Sequence, residues 1–162
     1  MKSADELMRI TLKGLRPAPK HLTVSRWAEE YSVVSAGNAY PGRWRNERVP
    51  YFVEVMDAFT DPAVERIVVK SCSQIGKTEV LLRVIGRFAH VDPCPMLLIN
   101  PTLEMSQDFS KSRLSKFIED TKVLKPLFYG RRETSLTRDA NQTILSKYYR
   151  GGRLALCGAN SP

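Results

Sequence analysis

Ser71-Cys72-Ser73-Gln74-Ile75-Gly76-Lys77-Thr78 is the stretch on which the reading of this chain turns. It lies between an apolar run, Arg66-Ile67-Val68-Val69-Lys70, and a segment from Glu79 to His90 in which Leu81, Val84, Ile85 and Phe88 recur at helical spacing. A β-branched strand, a tight loop ending in Gly-Lys-Thr and a helix form the grammar of a phosphate-binding loop. Each part has a physical task. Loop amides and the helix N-terminus face phosphate oxygens, a lysine supplies a point charge, and a hydroxyl can ligate Mg²⁺. The full pattern G-x-x-x-x-G-K-[ST] places glycine where this chain has Ser71, so the loop start is degenerate and the Gly76-Lys77-Thr78 end is intact. The competing interpretation of the same residues is an ordinary β-turn-α connection.

A length of 162 residues suits one domain with a sizeable core or a piece of something larger. No apolar run approaches the roughly 20 residues that span a bilayer, and Asp5 and Glu6 near the N-terminus argue against a signal peptide. A cytoplasmic protein with no membrane partner is expected. Three widely spaced cysteines, Cys72, Cys94 and Cys157, fit neither a disulfide framework nor a zinc site and read as reduced thiols. His21 and His90 lack partners at ligand spacing and are assigned no role. Net charge is +8, from 25 basic and 17 acidic residues, and Lys111 to Arg153 contributes 11 basic against 4 acidic, or +7. Such a surface favours polyanions through counterion release, and nucleic acid is the expected one; a merely solubilising face is the alternative.

Residues 1 to 22 read as a flexible basic arm interrupted by Pro17 and Pro19. A short helix is expected next, capped by Thr23 or Ser25 and packing through Trp27, Ala28 and Tyr31. The stretch Gly37 to Tyr51 is dense in turn formers, arginine and aromatics. In phosphate-loop ATPases that act on nucleic acid, a segment at this distance upstream often borders the adenine base. Trp44, Arg48 and Tyr51 suit stacking or hydrogen bonding there, or else Trp44 and Tyr51 are core aromatics covered by arginines. Pro50 fits the start of a helix carrying Phe52, Val55, Met56 and Phe59 on one face, ending near Asp61-Pro62. Met96 to Asn100 reads as a strand buried on both faces of a parallel sheet. Thr102 caps an expected helix running to about Asp120, with Glu104 in its first turn. Thr121 to Arg138 reads as an irregular basic connection, and Gln142 to Lys147 with Arg153 to Cys157 as a β-hairpin turning at Tyr148 to Gly152.

ATP hydrolysis needs a carboxylate to hold Mg²⁺ through water and another to activate the attacking water, at the end of an apolar strand. No such acid follows the loop: Phe117-Ile118-Glu119-Asp120 comes nearest, but within a helical pattern. The chain therefore reads as a nucleotide-binding half that would not hydrolyse ATP alone.

The order of these pieces resembles the large terminase subunits of tailed bacteriophages, of the lambda-like GpA type. The resemblance is carried by Pro41-Gly42-Arg43-Trp44-Arg45 with Pro50-Tyr51, by Lys70 through Glu79, by Asn100-Pro101-Thr102 with Phe109-Ser110, and by Gly151-Gly152 followed by Gly158 to Pro162. It covers about residues 20 to 162. It implies an N-terminal packaging ATPase followed by a metal-dependent nuclease, of which this chain would hold only the first portion. It further implies that Ser71 to Glu79 bind ATP, that Gln74, Ile75 and Gly76 form the cradle, that Lys77 is the catalytic cation on the β- and γ-phosphates, and that Thr78 ligates Mg²⁺. Many terminases carry arginine just before the position of Gln74, where this chain has Ser73. Double-stranded DNA, a small terminase subunit, the capsid portal and further copies in a motor are the partners implied. The fold so expected is α/β: a P-loop NTPase-type parallel sheet with flanking helices, present in its N-terminal portion over residues 23 to 162, with a β-hairpin near the C-terminus. A helicase-like ATPase fragment and a non-catalytic basic DNA-binding or assembly module, such as a truncated prophage remnant, are the alternatives.

Overall fold

The computed structural model describes residues 22–129 and 143–160. The arm expected over 1 to 22, all but its last residue, and parts of the basic connection, of the first hairpin strand and of the Gly158 to Pro162 ending lie outside the described residues.

Thr23 caps helix α1 (Val24–Tyr31), its hydroxyl accepting from the Arg26 amide. Strands β1 (Val33–Val34) and β2 (Gly42–Arg43) pair antiparallel and close the Gly37 turn region into a short ribbon. Two single-turn 3₁₀ segments, Asn46–Arg48 and Pro50–Phe52, then lead into α2 (Val53–Ala58). Pro50 opens the second of these, where its missing N–H is not needed. Phe52 and Met56 are buried, and Val55 and Phe59 pack partly against the same core.

Helix α3 (Lys77–Val91) is the spine. The sequence pattern marks one apolar face, but the helix is buried more widely: Val80, Leu82, Arg83, Gly86, Arg87 and Ala89 are buried along with Val84 and Ile85. At Gly86 the reason for glycine is contact, because a Cβ there would collide with the Trp27 and Phe117 rings. Trp27 is fully buried, and its indole N–H donates to His90 Nδ1 at 3.1 Å.

The main sheet has three strands in the order β3-β5-β4: β3 (Met96–Asn100) runs parallel to β5 (Gly152–Gly158), and β5 pairs antiparallel with β4 (Ser146–Tyr149). The sheet is thus mixed rather than parallel throughout. The hairpin is present, but Tyr148 and Tyr149 belong to β4, so the turn falls at Arg150-Gly151, where Gly151 takes φ +91°. The apolar run Arg66 to Lys70, read as a strand, pairs with nothing among the described residues, and Val68 is 83% exposed. β-propensity describes a residue that fits a pleated, half-buried surface, and here no neighbouring strand supplies that surface. Nor is β3 buried on both faces: Leu97 and Ile99, which share one face at period two, are 63% and 56% exposed, so that face is left uncovered among the described residues.

The expected helix from Thr102 to Asp120 exists as three joined pieces. Thr102 caps α4 (Leu103–Asp108), a π-helical turn spans Phe109–Leu114, and α5 (Ser115–Asp120) completes it. Glu119-Asp120 ends this helix, not a strand. Part of the connection read as irregular is instead a further helix, α6 (Lys125–Tyr129), anchored by buried Leu124 and Phe128. The carboxyl end of β3 is tied in by a relay: the Asn100 side-chain amide donates to Ser106 Oγ, which donates to the Cys157 carbonyl, while the Ala159 amide donates to the Asn100 carbonyl.

Candidate functional site

Between Lys70 and α3 the backbone enters the left-handed region twice, at Gln74 (φ 57°) and at Gly76 (φ 103°). A Cβ at Gly76 would meet only the Phe52 ring, at an ordinary 4.0 Å, so glycine serves conformation there rather than room. The two positive φ values turn the chain sharply into α3, whose N-terminus carries the positive end of the helix dipole. The exposed Lys77 amine folds back and donates to the carbonyls of Cys72 (2.6 Å) and Ser71 (3.3 Å). Cys72, Ser73 and Gln74 are exposed, Thr78 is exposed at the helix start, and the Ser71 hydroxyl is buried with no hydrogen-bond partner among the described residues. Glu79 sits half-buried in the first turn, pointing its carboxylate along the helix to Arg83.

One side of the loop opens on a hollow of about 370 Å³, within the range of small-ligand sites. Trp44, Arg48 and Tyr51 all line it, together with Gln74, Ile75, Gly76 and Glu79. The three sequence-selected residues are placed differently. Tyr51 is exposed and its hydroxyl donates to the Ile75 carbonyl at 3.3 Å; Arg48 lies over the exposed Tyr40 ring at 5.4 Å. Trp44 is 5% exposed, donates its indole N–H to Asn46 Oδ1 and carries the Arg83 guanidinium over its ring at 4.3 Å. It forms the back wall, while Tyr40, Tyr51 and Arg48 form the accessible rim.

Thr78 faces a second hollow of about 430 Å³, shared with Asn100, Glu104, Asp108, Phe109 and Arg113. Glu104 and Asp108 are one helical turn apart on α4, and Arg113 extends from the π-helical turn to donate to Asn38 Oδ1 at 2.9 Å. Sequence reading singled out neither this group nor Arg83. The i, i+4 spacing of Glu79 and Arg83 inside an otherwise apolar helical run was the available signal for the latter.

Arg83 is fully buried. Its Nη1 donates to the Glu79 carboxylate (2.5 Å) and carbonyl (3.1 Å), its Nη2 donates to the Val33 carbonyl (3.3 Å), and its Nε has no partner among the described residues. Burial pulls its pKa down to about 10, with Glu79 opposing the shift, so it stays charged at neutral pH. Burial likewise lowers His90, with Glu30 opposing, and this agrees with a neutral Nδ1 accepting from Trp27.

These features define an α/β protein in which a helix N-terminus lies beside an aromatic, arginine-rimmed hollow. The chain belongs to the family described as phage terminase large subunit gpA, ATPase domain, which it matches over residues 38–162. It is also similar to the large terminase subunit of Enterobacteria phage P21, at 29% identity over 124 residues, or 74% of this chain and 19% of that protein. The chain thus spans about a fifth of the length of that relative. No solved structure matches it. The family match covers the loop, the hollow's lining except Val34, and the helices from α2 onward, while α1 and β1 precede it; nucleotide use is the property its description carries. Among the described residues no helix is long and apolar enough to cross a membrane.

Proposed function

We propose that this chain is the nucleotide-holding portion of a phage packaging motor and binds ATP at the loop Ser71 to Thr78. The observation that carries this is the loop-to-helix junction. Two left-handed residues, Gln74 and Gly76, turn the loop into the N-terminus of a 15-residue helix, and the exposed Lys77 amine at that end rests on loop carbonyls. In this reading Lys77 exchanges those carbonyls for the β- and γ-phosphates. Gln74, Ile75 and Gly76 cradle them with Ser71, Cys72, Ser73 and Glu79 around. The base enters the 370 Å³ hollow, between the Tyr51 and Arg48 rim and the Trp44 wall.

The residues present also fit Mg²⁺ brought in with the nucleotide. The exposed Thr78 hydroxyl shares its hollow with the oxygens of Asn100, Glu104 and Asp108, hard donors of the kind this ion prefers. No group of three or more His, Cys, Asp or Glu among the described residues could hold a metal unaided, so the phosphates would supply further ligands. Bound there, the ion would neutralise phosphate charge. For the full-length protein the proposal extends to coupling ATP hydrolysis to double-stranded DNA translocation and to cutting concatemers, with a small terminase subunit, the portal and sister copies as partners in the host cytoplasm.

Calorimetry with a non-hydrolysable ATP analogue tests the site. Replacing Lys77 by Ala is expected to weaken binding about 30- to 100-fold, the worth of charged hydrogen bonds to phosphate. Equal affinity of the two proteins would overturn the assignment.

A further inference from the structure

We infer that Arg83 is a positioning residue that fixes the spacing between the phosphate-side loop and the base-side wall of the hollow, and so sets how much the nucleobase contributes to affinity. The inference rests on the nucleotide reading above.

The argument starts from cost. A fully buried guanidinium loses its hydration, and this one also leaves Nε without a partner among the described residues. An apolar side chain would fill the same place on α3, whose neighbours Leu82, Val84 and Ile85 are apolar. What an apolar residue could not do is join three elements at once. Nη1 grips Glu79, in the first turn after the loop; Nη2 grips the Val33 carbonyl on β1; and the guanidinium plane lies over Trp44, the back wall, with Phe117 of α5 at 5.1 Å on its other contact. The planar fork that allows simultaneous bonding and stacking belongs to arginine and not to lysine.

Each of those three partners has a place in the hollow. Glu79 and Trp44 line it directly, and Val33 adjoins Val34, which lines it as well. Arg83 itself does not line it. Its effect on a ligand is therefore indirect: it holds the loop-bearing helix and the β1–β2 ribbon at one separation, so that phosphates and base are met together.

The test compares ATP with inorganic tripolyphosphate, which carries the phosphates without a base, by calorimetry on the intact chain. Arg83→Met is expected to weaken ATP binding about tenfold, the worth of roughly one lost aromatic contact, while tripolyphosphate affinity changes less than about twofold. Arg83→Lys, which keeps a charge beside Glu79 but cannot also stack and reach Val33, is expected to fall between, again for ATP alone. Thermal unfolding monitors whether each variant folds. Unchanged ATP affinity in Arg83→Met, or parallel losses for both ligands, would overturn the inference. So would failure of both variants to fold, since Arg83 would then serve folding only. Those results leave the loop assignment standing as long as Lys77→Ala weakens binding of both ligands. If the unaltered protein binds neither ligand, the nucleotide reading itself falls and takes this inference with it.

Discussion

The two flanks of the Ser71 to Thr78 loop are built to different standards. On one flank, α1, the β1–β2 ribbon and the Asn46 to Phe52 turns press against α3 around Trp27, Trp44, Met56 and Arg83, all at most 5% exposed. On the other, the run from Arg66 to Lys70 has no strand partner among the described residues, and β3 leaves Leu97 and Ile99 exposed. The difference teaches where order comes from. The first flank is closed by contacts among neighbouring elements: Asp57 Oδ1 accepts from the Ser25 amide, Asn46 donates to the Ser25 carbonyl, and Arg83 reaches Val33. The second would need a parallel neighbour to complete its ladder, and parallel pairing always depends on a crossover from elsewhere in a sequence.

That contrast can be broken most forcefully at Trp27. Replacing it by Ala removes the largest fully buried side chain and the His90 hydrogen bond, and is expected to cost about 3–5 kcal/mol in denaturant unfolding. Gly86→Ala attacks the same flank by overfilling it, since the new methyl meets the Trp27 and Phe117 rings; a loss of about 1–3 kcal/mol is expected in the same measurement.

A smaller effect should follow from His90. Burial lowers its folded-state pKa below the ordinary 6.5, so the unfolded chain takes up a proton first as pH falls. Stability is then full above about pH 6.5 and declines as pH drops from there toward the lowered folded value. His90→Gln, which retains an acceptor for the Trp27 indole without titrating, should flatten that part of the profile of melting temperature against pH.

The open flank should barely respond. Val68→Ser alters a side chain that is 83% exposed, and a change within about 0.5 kcal/mol is expected. A loss approaching that of Gly86→Ala would mean that the two flanks are not as different as their exposure says.

Much of this architecture could be read from residue order because the signals are local. Thr23 and Thr102 announce their helices by capping, Pro50 opens a 3₁₀ turn at the expected place, and the positive φ at Gly76 falls where the Gly-Lys-Thr pattern puts it. Trp44, Arg48 and Tyr51 do line one hollow with the loop, but Trp44 is also the core aromatic under an arginine that the alternative reading offered. What stayed hidden is non-local. β-branched residues at 67 to 69 promise a strand only if another strand adjoins them. Tyr148 and Tyr149 extend β4 because Tyr149 is buried against Phe128 and donates its hydroxyl to the Cys94 carbonyl, partners distant in sequence. Arg83 reads as a surface charge until Trp44 and Val33 are seen around it.

The π-helical turn at Phe109–Leu114 acts as a phase adjuster. A regular helix rotates about 100° per residue, and a π turn inserts extra chain without advancing the rotation proportionately. The two ends of the segment are therefore decoupled: Glu104 and Asp108 keep the azimuth of the Thr78 hollow, while Phe117 and Ile118 keep that of the core. Forcing the same six residues into regular α-helix would advance the rotation and swing one set away from its target by about a quarter turn, whereas excising one residue between 109 and 114 would restore uniform winding with both sets in place.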